Sequence, residues 1–209
     1  MHIPVRLSAL LALTLLLSSP AFRAQDLKPI QLPKPQITGG MPLMQALSRR
    51  QTTRAFEDKP LPAQTLSNLL WAAFGVNRGR DLKPGLGRTA PSAMNKQEVV
   101  LYVLLAAGVY IYDAEANQLR PVAAGDMRSK ISPPAAANAA VTLAFVADSK
   151  LDYAQVDTGF VGQNVYLFAA SEGLNAWFYA FHGQDTSAIL KLPAEKHALY
   201  AESVGYPPK

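Results

Sequence analysis

The segment Asp152–Glu172 constrains the fold most, because it predicts the longest helix of the chain and is apolar on most faces. Its large apolar residues are Tyr153, Val156, Phe160, Val161, Val165, Tyr166, Leu167 and Phe168. A helix that is apolar all round is buried, so we expect it in the middle of the protein or in a subunit interface. Gly159 and Gly162 would let another backbone approach closely, and Gly173 ends the helix.

Two shorter helices are expected earlier in the chain. The first covers Met41–Arg50, and the second opens with Pro62 as its first residue and ends at Gly75, before a loop. The second helix carries an amphipathic stripe of Leu66, Leu69, Leu70, Ala73 and Phe74.

Most other elements are predicted as strands, because short apolar and β-branched runs alternate with turn residues. The predicted strands are Val99–Leu105, Val109–Tyr112, Gln118–Val122, Ala139–Val146, Leu174–Phe181 and His197–Val204. Short helical segments are expected at Gly125–Lys130 and Asp185–Leu190. Helices, then an antiparallel meander, then a helix between strands predict an α+β fold.

The N-terminal residues 1–24 have the pattern of a secretory signal peptide. His2 and Arg6 precede an apolar run, Leu7–Leu17, and small residues follow it. We expect cleavage after Ala21 or Ala24, with Ala21 favoured, and an exported protein, periplasmic or secreted, without a stable membrane span. The alternative is an N-terminal anchor helix that stays attached.

The mature chain divides into two parts. Residues 25–40 are rich in proline and glycine and predict an arm or linker, and residues 41–209 form one domain. The chain of 209 residues contains no cysteine, so thiol nucleophiles and thiolate metal sites are excluded and burial alone must stabilise the fold. The net charge of +5 is not concentrated in a polybasic run, so nucleic acid is not an expected partner.

The sequence RRQTTRAF, residues 49–56, concentrates cationic and hydroxyl side chains directly after the first predicted helix. Arginine binds phosphate oxygens in pairs, and threonine hydroxyls add neutral donors, so a phosphate site is one interpretation. The alternative is a solvated helix end, where arginines favour the negative pole of the helix dipole.

Three further segments support the phosphate interpretation: RTAPSAMNKQE at 88–98, GLNAWFYAFHG at 173–183 and the C-terminal HALYAESVGYPPK. In this order they resemble motifs of the nitroreductase superfamily, and the chain is most similar to the SagB-type flavin dehydrogenases, some of which oxidise azolines in peptides. The resemblance covers Met41–Lys209. It implies a central antiparallel sheet packed with helices, a homodimer, and FMN bound where the subunits meet.

The resemblance also implies a set of FMN-binding residues. Arg50 matches the arginine that grips the FMN phosphate, Thr52 matches a serine, and Arg54 matches a basic residue near N1 and O2 of the flavin ring. The segments that would line the ring are Pro91, Ser92, Ala93, Met94 and Asn95 from the second subunit, with Ala180 and Phe181 placed where a backbone N–H faces N5. Lys209 matches a terminal basic residue that helps bind the phosphate.

We therefore expect an exported FMN-dependent oxidoreductase that transfers hydride at flavin N5 to or from an unidentified small organic or peptide substrate. Its electron donor or acceptor is not specified by the sequence, because nicotinamide cofactors are expected in the cytoplasm. No catalytic side chain and no metal ligand is predicted. His182 is interpreted as a hydrogen-bonded residue at a strand end, with a catalytic acid as the alternative. The alternative is a non-catalytic exported binding protein that has lost or repurposed the flavin.

Overall fold

The computed structural model describes residues 27–79, 87–148, 153–181 and 185–209. The predicted signal peptide, Asp152 and His182 lie outside the described residues. Within those ranges, no helix has both the length and the apolar character that crossing a membrane requires.

Five helices occur in the described residues: α1 (Leu43–Arg49), α2 (Ala63–Phe74), α3 (Arg128–Ile131), α4 (Ala154–Glu172) and α5 (Thr186–Leu190). The strands are β1 (Ile30–Gln31), β2 (Val76–Arg78), β3 (Gly87–Arg88), β4 (Val100–Leu105), β5 (Gly108–Asp113), β6 (Gln118–Ala124), β7 (Val141–Asp148), β8 (Asn175–Ala180) and β9 (Lys196–Gly205). Strands β2 and β3 form a separate pair, and the other seven form one sheet.

The seven-stranded sheet has the order β1-β6-β5-β4-β7-β9-β8, and every neighbouring pair is antiparallel. Helices α2 and α4 pack on one face and bury Leu69, Leu70, Val161 and Val165 in the main core. The predicted α+β class with a central antiparallel sheet is confirmed. Strand β8 forms one edge of this sheet, and β1 forms the other beside β6.

Helix α4 is less completely buried than its composition suggested. Gly162 does lie in close contact with the sheet, because a Cβ there would come within 2.8 Å of the Phe178 ring. The space around Gly159 is open in one chain, which leaves this position accessible to a second chain. Apolar side chains at the start of the helix are exposed, Val156 by 53% and Phe160 by 44%. In one chain, α4 therefore has a buried face and an uncovered apolar face.

Several element boundaries differ from the predictions for local reasons. Pro62 has an extended backbone and precedes α2, which begins at Ala63. The helical turn expected at Gly125–Lys130 begins later, at Arg128, whose N–H donates to the Asp126 carboxylate at 3.0 Å. The segment after Gly75, which was predicted as a loop, contains the paired strands β2 and β3.

The described part of the proline-rich arm, residues 27–40, lies across its own chain. Strand β1 pairs with β6, and the Gln36 N–H donates to the Asn68 side chain on α2 at 2.8 Å. Where the arm meets α1, the Met41 N–H donates to the Ser171 hydroxyl on α4 at 2.7 Å. The arm thus connects the β6 edge of the sheet to the helical layer.

Candidate functional site

The cationic segment 50–55 leaves α1 and runs along the outer edge of β8. The Thr53 N–H donates to the Ala176 carbonyl at 3.0 Å, and the Ala176 N–H donates to Thr53 Oγ1 at 3.1 Å. The Asn175 side chain donates to the Ala55 carbonyl at 2.7 Å. The segment is therefore fixed to the strand by both backbone and side-chain groups. Arg49 is the last residue of α1 and Arg50 is its C-cap, whereas Arg54 lies beyond the helix, so a solvated helix end accounts for only part of the arginine cluster.

Tyr166 on α4 joins this segment to the strand. The Phe178 N–H donates to the Tyr166 hydroxyl at 2.9 Å, and the same hydroxyl is 2.9 Å from Thr52 Oγ1. The Arg50 guanidinium lies over the Tyr166 ring, 5.4 Å from its centroid. The sequence analysis treated Tyr166 only as an apolar residue. Its hydroxyl was the available signal, because a buried tyrosine usually finds a hydrogen-bond partner.

Arg54 lies on the other face of the strand. Its guanidinium is 5.1 Å from the centroid of the Trp177 ring. Side chains alternate across a strand, and Phe178 faces α4, so Trp177 and Arg54 lie on the face opposite α4. The segment therefore places one arginine on each face of the β8 edge.

The outer edge of β8 has one hydrogen-bond donor left open. Residues 176, 178 and 180 occupy equivalent positions in the regular pairing with β9, so their N–H groups all point away from the sheet. Thr53 and Tyr166 accept from the first two, as described above. For the exposed Ala180, no acceptor occurs among the described residues. Its N–H is therefore available to a ligand. Phe181, next in the chain, is half-buried against apolar clusters.

A cleft of about 590 Å³ opens beside this segment. Its walls are Ser48–Gln51, Thr53, Tyr166, the end of α4 and the start of β8. Arg49 and Arg50 contribute positive charge, and none of the described residues that line the cleft is acidic. The cleft is thus suited to an anion such as a phosphate group.

The loop Pro91–Asn95 is held at the start of α4 instead. The Ala93 N–H donates to both carboxylate oxygens of Asp157, at 3.0 and 3.2 Å, and Asp157 is only 1% exposed. The Ser92 hydroxyl accepts from the Gln97 N–H at 2.7 Å. Asp157 lies in the first turn of α4, where the helix dipole favours an acid. Its role in holding the loop was missed.

This loop has a strained backbone. Met94, Asn95 and Gln97 all have positive φ angles, between 51° and 53°. Non-glycine residues adopt this conformation at a cost, and such residues occur often at functional sites. The Met94 side chain is 71% exposed. The loop therefore presents an apolar side chain to the outside on a backbone held by buried contacts.

The structure brings only some of the predicted residues together. Arg50, Thr52, Arg54 and Ala180 share the β8 edge, whereas the Pro91–Asn95 loop contacts α4 at Asp157. Asp157 and Tyr166 are nine residues apart, about 14 Å along the helix. Lys209 is exposed at the C-terminus. Within one chain, the loop and the cationic segment therefore lie near different parts of α4.

Glu202 on β9 is a buried acid behind this edge that the sequence analysis missed. The side chain is fully buried, and neither carboxylate oxygen has a hydrogen-bond partner among the described residues. Burial raises the pKa of the Glu202 carboxyl well above its ordinary value, so the group is held in its neutral form. A single acid in the otherwise apolar stretch ALYAESVG was the available signal.

Buried hydroxyls brace the opposite face of the same strands. The Tyr179 hydroxyl is 2.8 Å from both Ser132 Oγ and Ser203 Oγ, and Thr142 Oγ1 contacts both serines, at 3.2 and 2.9 Å. Burial raises the pKa of Tyr179, so its hydroxyl remains protonated. This closed ring of hydrogen bonds ties β8 to β7, β9 and the segment after α3.

Comparisons with known proteins agree on one family. A sequence model of the Nitroreductase family matches residues 47–206, which include the cationic segment, the Pro91–Asn95 loop and β8. A curated protein from Methanocaldococcus jannaschii, whose name assigns it provisionally to the nitroreductases, is 32% identical over 187 residues. The match covers 80% of this chain and 91% of that protein.

Solved structures show the same fold. A crystal structure from Ralstonia eutropha JMP134, described provisionally as a nitroreductase, has a TM-score of 0.75 and 32% identity, over 87% of this chain and 90% of that one. An FMN-dependent nitroreductase from Clostridium difficile R20291 has a TM-score of 0.54 and 18% identity, over 79% of this chain and 88% of that one. At this lower identity the similarity concerns the fold alone.

Proposed function

Because the chain belongs to the nitroreductase family of oxidoreductases, we propose that it binds FMN along the outer edge of β8 and works as a homodimer. One observation supports this most strongly. Among the residues that the structure describes, a cleft with two arginines and no acid adjoins a strand edge whose Ala180 N–H has no acceptor. Such an arrangement can bind a molecule that has an anionic tail and a hydrogen-bonding ring.

The residues at this edge fit FMN. Arg50 would hold the phosphate as a charged donor, with Thr52 as a neutral donor beside it. Arg54 supplies a cation that lies over the Trp177 ring. This cation would favour negative charge on the reduced flavin ring. The Ala180 N–H would donate to the edge of the ring. When bound, FMN supplies a carrier that accepts a hydride from one substrate and passes it to another.

The homodimer is supported by what one chain leaves incomplete. The Pro91–Asn95 loop does not reach the cationic segment of its own chain, and the exposed Met94 faces outward. Tyr153, Val156 and Phe160 leave an apolar surface on α4 uncovered. A second copy that covers this surface would bring its own loop to the cofactor and exclude water from the ring.

We also propose a substrate class and a location for the protein. We propose a small organic or peptide substrate, as in the SagB-type dehydrogenases that the sequence motifs resemble. The N-terminal pattern supports export. Outside the cytoplasm, oxygen, a quinone or a redox protein would then replace nicotinamide cofactors as electron partner.

The visible spectrum of the purified protein tests the cofactor directly. We expect a yellow protein that releases FMN on denaturation, identified by chromatography. A colourless protein without affinity for added FMN would contradict the proposal and favour a non-catalytic binding protein.

Arg50→Ala tests where the phosphate binds. Loss of a charged hydrogen bond should weaken FMN binding about ten-fold or more, whereas riboflavin, which lacks the phosphate, should bind almost as before. Titration of the apoprotein with each ligand gives both dissociation constants. Arg120→Ala on β6 is the matched control and should change neither. Equal losses for FMN and riboflavin would exclude Arg50 from the phosphate site.

A further inference from the structure

We infer that Tyr166 is the positioning residue of the phosphate-binding end of this site. This inference rests on the proposed function and adds a residue to it. Tyr166 contacts the strand through the Phe178 N–H, the cationic segment through Thr52, and the guanidinium of Arg50 through its ring. One side chain thus joins three groups that come from two separate parts of the chain, the cationic segment and β8.

The contact between the hydroxyls of Tyr166 and Thr52 can have either oxygen as its donor, and an anion bound at Thr52 would select the arrangement in which Tyr166 donates. In that arrangement Tyr166 accepts from the Phe178 N–H and donates its own hydrogen to Thr52 Oγ1. Thr52 then keeps its own hydroxyl hydrogen for a further acceptor. Since Thr52 is exposed, that acceptor can be a ligand oxygen. Tyr166 therefore orients Thr52 as a donor toward a bound anion.

The ring of Tyr166 acts on Arg50. A guanidinium that lies over an aromatic face is attracted to it, and this contact restricts the long side chain before a ligand arrives. Arg50 is half-buried and lines the cleft together with Tyr166. An arginine held in position loses less conformational entropy when it binds, which strengthens binding.

The Tyr166 hydroxyl also accepts a hydrogen bond from the Phe178 N–H, the outward N–H of β8 that precedes the one of Ala180. The outward N–H groups of β8 alternate, and the Tyr166 hydroxyl satisfies the second of the three. This leaves Ala180 as the open donor on this edge among the described residues. The same side chain therefore fixes the phosphate-binding groups relative to the open end of the edge.

The test is Tyr166→Phe, which keeps the ring under Arg50 and removes only the hydroxyl. Titration of the apoprotein should show FMN binding weakened about five-fold, the size of one lost hydrogen bond, with riboflavin binding nearly unchanged. Tyr112→Phe on β5 is the matched control, because its buried hydroxyl has no partner among the described residues. The control should bind both ligands as the wild type does. Thermal unfolding of each apoprotein checks that the variants fold.

A double variant separates positioning from a general structural effect. If Tyr166 acts through Thr52, then Thr52→Val combined with Tyr166→Phe should weaken FMN binding no more than the stronger single change. Additive effects, equal losses for FMN and riboflavin, or wild-type FMN affinity in Tyr166→Phe would each overturn the inference. A wild-type protein that binds FMN no better than riboflavin would overturn the phosphate site itself and the inference with it.

Discussion

The two edges of the central sheet are closed in different ways. At the β6 edge, β1 pairs through its backbone, and the buried Leu32 follows it into the core. At the β8 edge, the hydroxyls of Thr53 and Tyr166 take the place of a full strand, and the Ala180 N–H has no acceptor in the part of the chain that the structure describes. An unpaired edge donor can bond to another chain or to a ligand. Under the proposed function, one edge would therefore serve stability and the other would serve binding.

Ala180→Pro should have the largest effect on function. Proline removes the outward N–H, and it is tolerated on an edge strand where that N–H forms no sheet hydrogen bond. We expect turnover by the flavin-loaded enzyme to fall about 100-fold, as when one preorganised donor is removed from a reacting group. Ala180→Ser retains the N–H and should keep near wild-type turnover. Steady-state kinetics with any accepted substrate would measure this, and unchanged turnover in the proline variant would remove Ala180 from the site.

Leu32→Ala should lower stability and leave FMN binding nearly unchanged. Leu32 is 4% exposed and lies beside the β6 edge, so its truncation should lower the free energy of unfolding by about 2 kcal/mol. Chemical denaturation would measure the loss. The FMN dissociation constant should stay within about two-fold of the wild type at a temperature where the variant is folded, and a larger change would show that the two edges are coupled.

Glu202→Gln should change how the stability of the protein depends on pH. The folded protein keeps the Glu202 proton because burial raises the pKa of that carboxyl, whereas the unfolded chain releases it near the ordinary value. The contribution of Glu202 to stability is therefore fully present at acidic pH and is lost as pH rises toward its folded-state pKa. Each pH unit over which the two states differ in protonation costs about 1.4 kcal/mol.

The glutamine variant should lack this decline, so its stability relative to the wild type should increase between pH 4 and pH 8. Denaturation curves at both values provide the measurement. Asp113→Asn is the control from the β6 side, where the carboxylate forms a surface ion pair with Arg120 at 3.6 Å. It should change stability by less than about 1 kcal/mol. A parallel pH dependence in wild type and Glu202→Gln would show that Glu202 does not carry the effect.

The sequence allowed prediction of elements that depend on local patterns. The stripe from Leu66 to Phe74 and the apolar runs of the meander correspond to α2 and β4–β6, because periodicity and turn residues act over a few positions. The cationic segment could also be recognised from its local composition. Boundaries shifted where a local cap competed, as at Asp126 before α3.

The contacts that organise the candidate site could not be predicted in the same way. Tyr166 and Thr52 are separated by 114 residues, and Asp157 and Ala93 by 64. Such partners are brought together by packing of α4 on the sheet. No local sequence pattern indicates which residues this packing will place in contact. The short strand β1 was missed because two residues of backbone pairing leave no periodic pattern.

Amide hydrogen exchange with and without FMN observes both edges of the sheet in one experiment. FMN should slow exchange at the Ala180 amide and in residues 50–54, and should leave exchange at the amides of β1 and β6 unchanged. Protection at the β6 edge, or no protection at Ala180 under saturating FMN, would contradict the assignment of the β8 edge as the flavin-binding edge.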